Sequence, residues 1–364
     1  MISHYTSCLI SLLKGHIPKG LNERDWECLI RIARRASILP RLASQIVGQN
    51  YPCFVEKHLN SAIKQACLQK QQVRYEAIQL VKLLETVSDS HLLFLKGAAY
   101  CLGDYQVGIG RIFSDIDLLV AKNDLSKIET KLLVYGWFPE SSDEYDQKYY
   151  REWAHEIPPI RHAQRGTLLD VHHNLVPIIS GRAPNIALFT EDLIYLENGI
   201  KVLSVHAMTL HSAIHLFFQE EYHHAFRDIC DLHCMFSEFG KTPTFWEDIQ
   251  TLALKSGFSL ELALACRYSE AIFNTPIPAD VLRNSKEYLP NKPFLLIYDW
   301  LYLKVLQPHH PLAQVRFLGL ANFLALLRGH FIKMPLHILL LHSFTKIYRN
   351  ITTFLFGEGL TKKS

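Results

Sequence analysis

The stretch RIFSDIDLLV, residues 111–120, decides how the chain is read. Asp115 and Asp117 bracket Ile116 and lead directly into the apolar run Leu118-Leu119-Val120. That pattern predicts a buried strand over 115–121 with two carboxylates at its mouth. Side chains alternate across a strand, so residues 115 and 117 share one face. Like charges held that close either push one pKa up or recruit a cation. The neighbouring segments indicate which.

Upstream, HLLFLKG (91–97) is a short apolar run ended by Gly97. It reads as a buried strand entering a helix at 98–102, with Gly103-Asp104, Gly108 and Gly110 marking a loop. Downstream, Leu125, Ile128, Leu132 and Leu133 predict a helix over 123–135, stopped by Gly136. AHEIPPIRH (154–162) carries a Pro pair and predicts an edge strand. TLLDVHHNL (167–175) reads as another strand. Residues 1–90 are helical in pattern, with a long helix from about 54 to 87 that lacks Gly and Pro. Beyond about 190 the pattern is mainly helical, near 206–218, 222–237, 245–256 and 258–273. The expectation is an α+β fold: a small mixed-sheet core at 89–180, between helical regions at 1–88 and 181–364.

The 364 residues suffice for a sizeable core, and 49% apolar with 20% charged is the ordinary globular range. A net charge of +3 without a dense basic block gives no case for long nucleic acid. None of the eight cysteines forms a C-x2-C pair. Cys230 and Cys234 lack two further zinc ligands at suitable spacing, so reduced, buried thiols in a cytoplasmic protein are expected. The N-terminus does not read as a signal peptide. The apolar stretch 317–327, between Arg316 and Arg328, is too short to span a membrane. A buried helical core is the expected role of this apolar, basic C-terminal part, in preference to contact with a membrane surface.

Asp170 sits among Leu168, Leu169 and Val171. A charge there is costly unless paired or liganded. If its strand adjoins 115–121, Asp170 is expected on the same face, about 4–7 Å from Asp115 or Asp117, because neighbouring strands are about 4.8 Å apart. Three converging carboxylates suit magnesium, a hard cation that prefers oxygen ligands. Two such ions about 4 Å apart activate an attacking oxygen and stabilise a leaving pyrophosphate. Gly97, after a strand and before a helix, permits close approach of phosphate, and Lys96 adds a positive charge. The bland readings are a cap for Asp115 and a tight strand-to-helix turn for Gly97.

Together these motifs resemble the polymerase-beta-like nucleotidyltransferase superfamily, in which a glycine turn opens a helix, the next strand carries Asp-x-Asp and a later strand brings a third Asp. The closer resemblance is to the bacterial uncharacterised nucleotidyltransferase family. It rests on Leu95-Lys96-Gly97, on Arg111 with Asp115-Ile116-Asp117-Leu118-Leu119-Val120, and on Asp170-Val171-His172. It is strongest over 90–176. The resemblance implies transfer of a nucleotidyl group from a nucleoside triphosphate such as ATP to an acceptor hydroxyl on a small molecule, a protein or an RNA end, releasing pyrophosphate. By it Asp115, Asp117 and Asp170 hold the metal, two magnesium ions in all, with a base role as the alternative for Asp170. Lys96, Gly97, Arg111 and Ser114 would bind the nucleotide, although a surface position is an equal reading for Arg111. His172 and His155 would meet the acceptor, or His172 would orient a carboxylate. Glu156 shares the prospect of His155; His162 has less claim, and His173 points the other way. Ala98 departs from the superfamily, where a serine touches phosphate. The rival is a catalytically silent module of the same fold that binds a nucleotide or a partner; Ala98 favours it and the three intact aspartates oppose it.

Residues 211–236 also carry chemistry-bearing side chains. His211 and His215 lie four apart, but Ser212 stands where a zinc protease needs Glu. A helical hairpin braced by an Arg227–Asp231 pair is expected. The alternative is a helical domain closing over the nucleotide, with Arg227 or Asp228 at the cleft.

Overall fold

A computed structural model describes residues 2–87, 92–140 and 144–340. The chain opens with α1 (His4–Leu13), α2 (Glu23–Arg35), α3 (Leu39–Ile46) and α4 (Cys53–Leu84). α2 begins on a capping box: Asn22 Oδ1 accepts from the Asp25 N–H at 3.0 Å, and Asp25 Oδ2 accepts from the Asn22 N–H at 3.1 Å. α4 runs uninterrupted for 32 residues and buries Val55, Leu59, Val73, Ala77, Leu80 and Leu84.

The sheet follows, in the order β1 (Leu93–Leu95), α5 (Lys96–Leu102), β2 (Asp115–Leu119), α6 (Leu125–Val134), β3 (Trp137–Pro139), α7 (Glu144–Glu152), β4 (Ile160–His162), β5 (Leu168–His172), α8 (Ala187–Thr190), β6 (Leu193–Tyr195) and β7 (Lys201–Leu203). Among the described residues these strands make one mixed sheet of seven, ordered β3-β4-β5-β2-β1-β7-β6. β2 is central. It runs parallel to β5, with Asp117 beside Asp170, and antiparallel to β1, with Asp117 beside Leu95. α4 is tied to the start of β5 through buried Glu76, which accepts from Arg165 Nε and the Thr167 hydroxyl, each at 2.7 Å.

Two expectations change. The segment 154–162 is not an edge: β4 pairs with β3 on one side and β5 on the other. Its Pro pair, Pro158-Pro159, precedes the strand, where no ladder N–H is required. The edge is β3, which ends at Pro139. The sheet also runs past residue 180, because β6 and β7 add two short strands before the chain turns helical. Three residues each are too few for a period-2 pattern to show.

The helices α9 (Val205–Phe218), α10 (Ala225–Phe239), α11 (Phe245–Ser256), α12 (Ser259–Phe273), α13 (Ala279–Ser285), α14 (Lys292–Val305) and α15 (Leu318–Lys333) complete the described chain. One continuous core extends from Cys8 to Ala325. This is the α+β architecture expected, a mixed sheet flanked by helices.

The expected burial of 317–327 is not found. Phe317, Leu320, Phe323 and Phe331 are all more than half exposed. α15 packs instead through its small residues Ala321, Ala325 and Gly329. A Cβ on Gly329 would collide with Glu220, so only a small-residue face can approach this closely, and the large side chains point away. No described helix is long and apolar enough to cross a membrane. All eight cysteines are free, but Cys53 and Cys67 are exposed rather than buried.

Candidate active site

Asp117 is the best-fixed group of the site. It is 4% exposed, and its Oδ1 accepts from Lys96 Nζ at 2.7 Å and lies 2.9 Å from His172 Nε2. Burial works against its charge, but the Lys96 ammonium and His172 prevail and hold the carboxyl well below the usual carboxylate range. Asp170, directly beside it in register on the parallel strand, points to the same face, as the sequence predicted. Its Oδ1 is buried without a hydrogen-bond partner. Burial, with the nearby charges of Asp117, Glu156 and Asp115, pushes this carboxyl up to about 7. Asp115 is half-buried at the start of β2 and accepts from the Ser114 hydroxyl at 3.1 Å.

These carboxylates fit a hard divalent cation. The donors are carboxylate oxygens, and one buried oxygen is orphaned. The Lys96 backbone is in the left-handed region, with φ +47°, a conformation that a non-glycine residue adopts at a cost. That turn brings its ammonium onto Asp117. The Lys96 ammonium, expected to add a positive charge for phosphate, pairs with the Asp117 carboxylate.

Gly97 lines the same cleft, but its small size has a packing reason. A Cβ there would sit 3.3 Å from the Phe113 side chain. Ala98 supplies no hydroxyl; those that line the cleft belong to exposed Ser114 and to Tyr100 and Ser212.

Arg111 is not on the surface. It is 6% exposed, and its Nε donates to Asp231 Oδ2 at 2.7 Å, with Asp228 Oδ1 at 3.6 Å. Arg41 of α3 meets the other Asp231 oxygen at 2.6 Å. The expected Arg227–Asp231 pair therefore does not form. Two buried guanidinium groups converge on Asp231, and Arg227 Nε donates to Asp228 Oδ1 at 2.8 Å. The clamp ties α10 to α3 and to the loop before β2. Arg227, Asp228 and His224 face Asp115 and Asp117 across a cleft of about 160 Å³, with His215 of α9 and Tyr100 of α5 in its wall. α9 and α10 pack against each other, as in the expected helical hairpin, and Arg227 and Asp228 lie at the cleft.

Residues 22–274, well over half of the chain, match the family described as uncharacterised nucleotidyltransferase. The chain belongs to that family. Comparison with curated proteins and with solved structures gave no match. The matched span of the nucleotidyltransferase family runs from the α2 cap through α12, so it contains both walls of the cleft, while α14 and α15 lie beyond it.

The candidate histidines sort by burial. His172 is 3% exposed between two carboxylates, with Nε2 on Asp117 and Nδ1 3.1 Å from Glu156 Oε2. Burial lowers its proton affinity, but Glu156 and Asp117 outweigh that and raise its pKa. Of its two expected roles, orienting a carboxylate is the one its contacts match. His155 lies with its ring 5.3 Å from that of His172. His173 is buried, and burial pushes it down to about 4. His162 packs edge-on against Trp137, and its Nδ1 accepts the Gln164 and Arg165 N–H groups at 3.2 Å, far from any cleft role. Tyr100 was missed, and His215 was noted only for its spacing from His211, because nothing in that spacing shows which helix face meets the cleft.

Proposed function

We propose that the chain is a magnesium-dependent nucleotidyltransferase that moves a nucleotidyl group from a nucleoside triphosphate to an acceptor hydroxyl and releases pyrophosphate. The observation that carries this reading is the register: Asp117 and Asp170 stand side by side on adjacent parallel strands, with an orphaned oxygen between charged neighbours. Asp115, Asp117 and Asp170 would hold the metal. Bound magnesium would offset charge on the phosphates and lower the pKa of the attacking hydroxyl. His172 and Lys96 fix the Asp117 carboxylate; in the alternative in which Asp170 does not ligate the metal, its raised pKa suits it to accept a proton near neutral pH.

The cleft's size refines the pose. About 160 Å³ is below the roughly 300–1,000 Å³ of a site that encloses a whole small molecule. It suits the triphosphate, with Arg227 and Ser114 reaching it and the nucleoside lying toward the mouth. A silent binding module has two observations in its favour: Ala98, and the Lys96–Asp117 pair, which neutralises the site without metal.

Incubation with each labelled nucleoside triphosphate, magnesium and cell extract tests the reading. Label transfer with pyrophosphate release is expected from the wild type, with a loss of at least ~100-fold in Asp115→Asn and Asp170→Asn, the scale of removing one electrostatic contact in a transition state. Nucleotide binding without pyrophosphate release would establish the silent module instead.

A further inference from the structure

We propose that His155, Glu156 and His172 form a second cation site, for a first-row transition metal such as zinc, separated from the aspartates by the His172 ring. One ligand atom from each of the three lies within 4.8 Å of the others. His172 Nδ1 and Glu156 Oε2 are 3.1 Å apart. That is close to the edge, about 3.3 Å, of a tetrahedron with bonds of about 2.0–2.1 Å around zinc.

The segment that carries two of the ligands is held in place by backbone. The His173 N–H donates to the His155 carbonyl at 2.7 Å, and the Ile157 N–H donates to the Val171 carbonyl at 3.0 Å. His155 and Glu156 are thereby fixed beside β5 before any ion arrives. His155 Nδ1 is buried and has no hydrogen-bond partner. A buried polar atom left this way requires an explanation, and a metal supplies one.

The far side of His172 completes the argument. Histidine ligands commonly pass their second ring N–H to a carboxylate, which sets the tautomer. Here Nε2 lies 2.9 Å from Asp117 Oδ1, which leaves Nδ1 as the metal-facing nitrogen. Burial keeps His155 neutral, as a ligand must be, while the ion would displace from His172 Nδ1 the proton that Glu156 favours there. Two imidazoles and one carboxylate favour a borderline transition metal over magnesium, which prefers oxygen alone. The inference stands apart from nucleotidyl transfer, because this ligand set exists whatever happens at the aspartates. Its consequence for that reaction is positional: an ion on Nδ1 strengthens the Nε2–H donor and fixes Asp117.

A cobalt(II) titration of metal-free protein, with magnesium in excess to fill the oxygen sites, reads the site without any turnover. The wild type is expected to show visible absorption bands of nitrogen-ligated cobalt that saturate at one equivalent and disappear on adding zinc. His155→Ala and Glu156→Gln, confirmed as folded by circular dichroism, should weaken cobalt binding at least tenfold. Asp115→Asn should keep the bands. Absence of bands in the wild type overturns the site outright, whether or not the variants fold. So do unchanged bands in folded His155→Ala or Glu156→Gln, or loss of the bands in Asp115→Asn. A protein that shows the bands but transfers no nucleotide would retain this site and lose the proposed reaction.

Discussion

At the level of single residues, Asp117 and Asp170 show how identical side chains come to differ. Lys96 and His172 stabilise the charge on Asp117, while Asp170 has a buried oxygen and carboxylates for neighbours. Their pH behaviour should differ in sign. Asp117 has a depressed folded pKa, so its contribution to stability is present above the unfolded value and is lost only in strong acid. Asp170 is raised from 3.8 to about 7, so its contribution is present below the unfolded value and is lost as pH rises through about 7. In metal-free buffer, Asp170→Asn should therefore gain stability relative to the wild type between pH 4 and pH 8. At about 1.4 kcal/mol per pH unit the gain is at most about 4 kcal/mol. Melting curves across that range check the sign. A gap that narrows instead of widening with pH would show that Asp170 does not carry the strain of the site.

Among the elements, α10 shows what spacing alone cannot supply. The i,i+4 relation of Arg227 and Asp231 is a sound local rule, yet it loses to two buried guanidinium groups that arrive from α3 and from the loop before β2. Arg41 and Arg111 come from far along the chain, so no local window shows them. The Asp231 clamp should matter for folding and Arg227 for the ligand. Asp231→Asn leaves buried Arg41 without a carboxylate and Arg111 with only Asp228 at 3.6 Å, at a cost of about 3–5 kcal/mol in urea unfolding. Arg227→Gln should cost only about 1 kcal/mol, since Asp228 keeps Arg111 nearby, yet weaken nucleotide binding measured by calorimetry. Equal destabilisation by the two variants would remove the distinction. β2 and β5 were legible for the opposite reason. A charge inside an apolar run is a signal that needs no tertiary partner to be noticed, and Asp115, Asp117 and Asp170 supplied three. β6 and β7, at three residues each, supplied none, and the Pro pair before β4 imitated an edge.

For the whole molecule, the packing of α15 separates apolar composition from burial. Its large residues Phe317, Phe323 and Phe331 are exposed, while Ala321, Ala325 and Gly329 make the contact. The docking is anchored at the C-terminal end of α9: Arg328 donates to the Phe217 carbonyl at 2.8 Å, and Lys333 pairs with Glu220. Side-chain size should therefore act in the reverse of the usual sense along this helix. Gly329→Val places a branched side chain against the Glu220 backbone, which cannot yield as a flexible side chain could. Overpacking of this kind costs about 1–3 kcal/mol or more, so Gly329→Val should lower the melting temperature by several degrees. Phe323→Ser removes a ring that is 54% exposed and should leave it within a degree or two, since surface changes stay within about 0.5 kcal/mol. Differential scanning calorimetry of both variants decides the matter. A large loss in Phe323→Ser beside a small one in Gly329→Val would mean that α15 packs through its aromatic face after all.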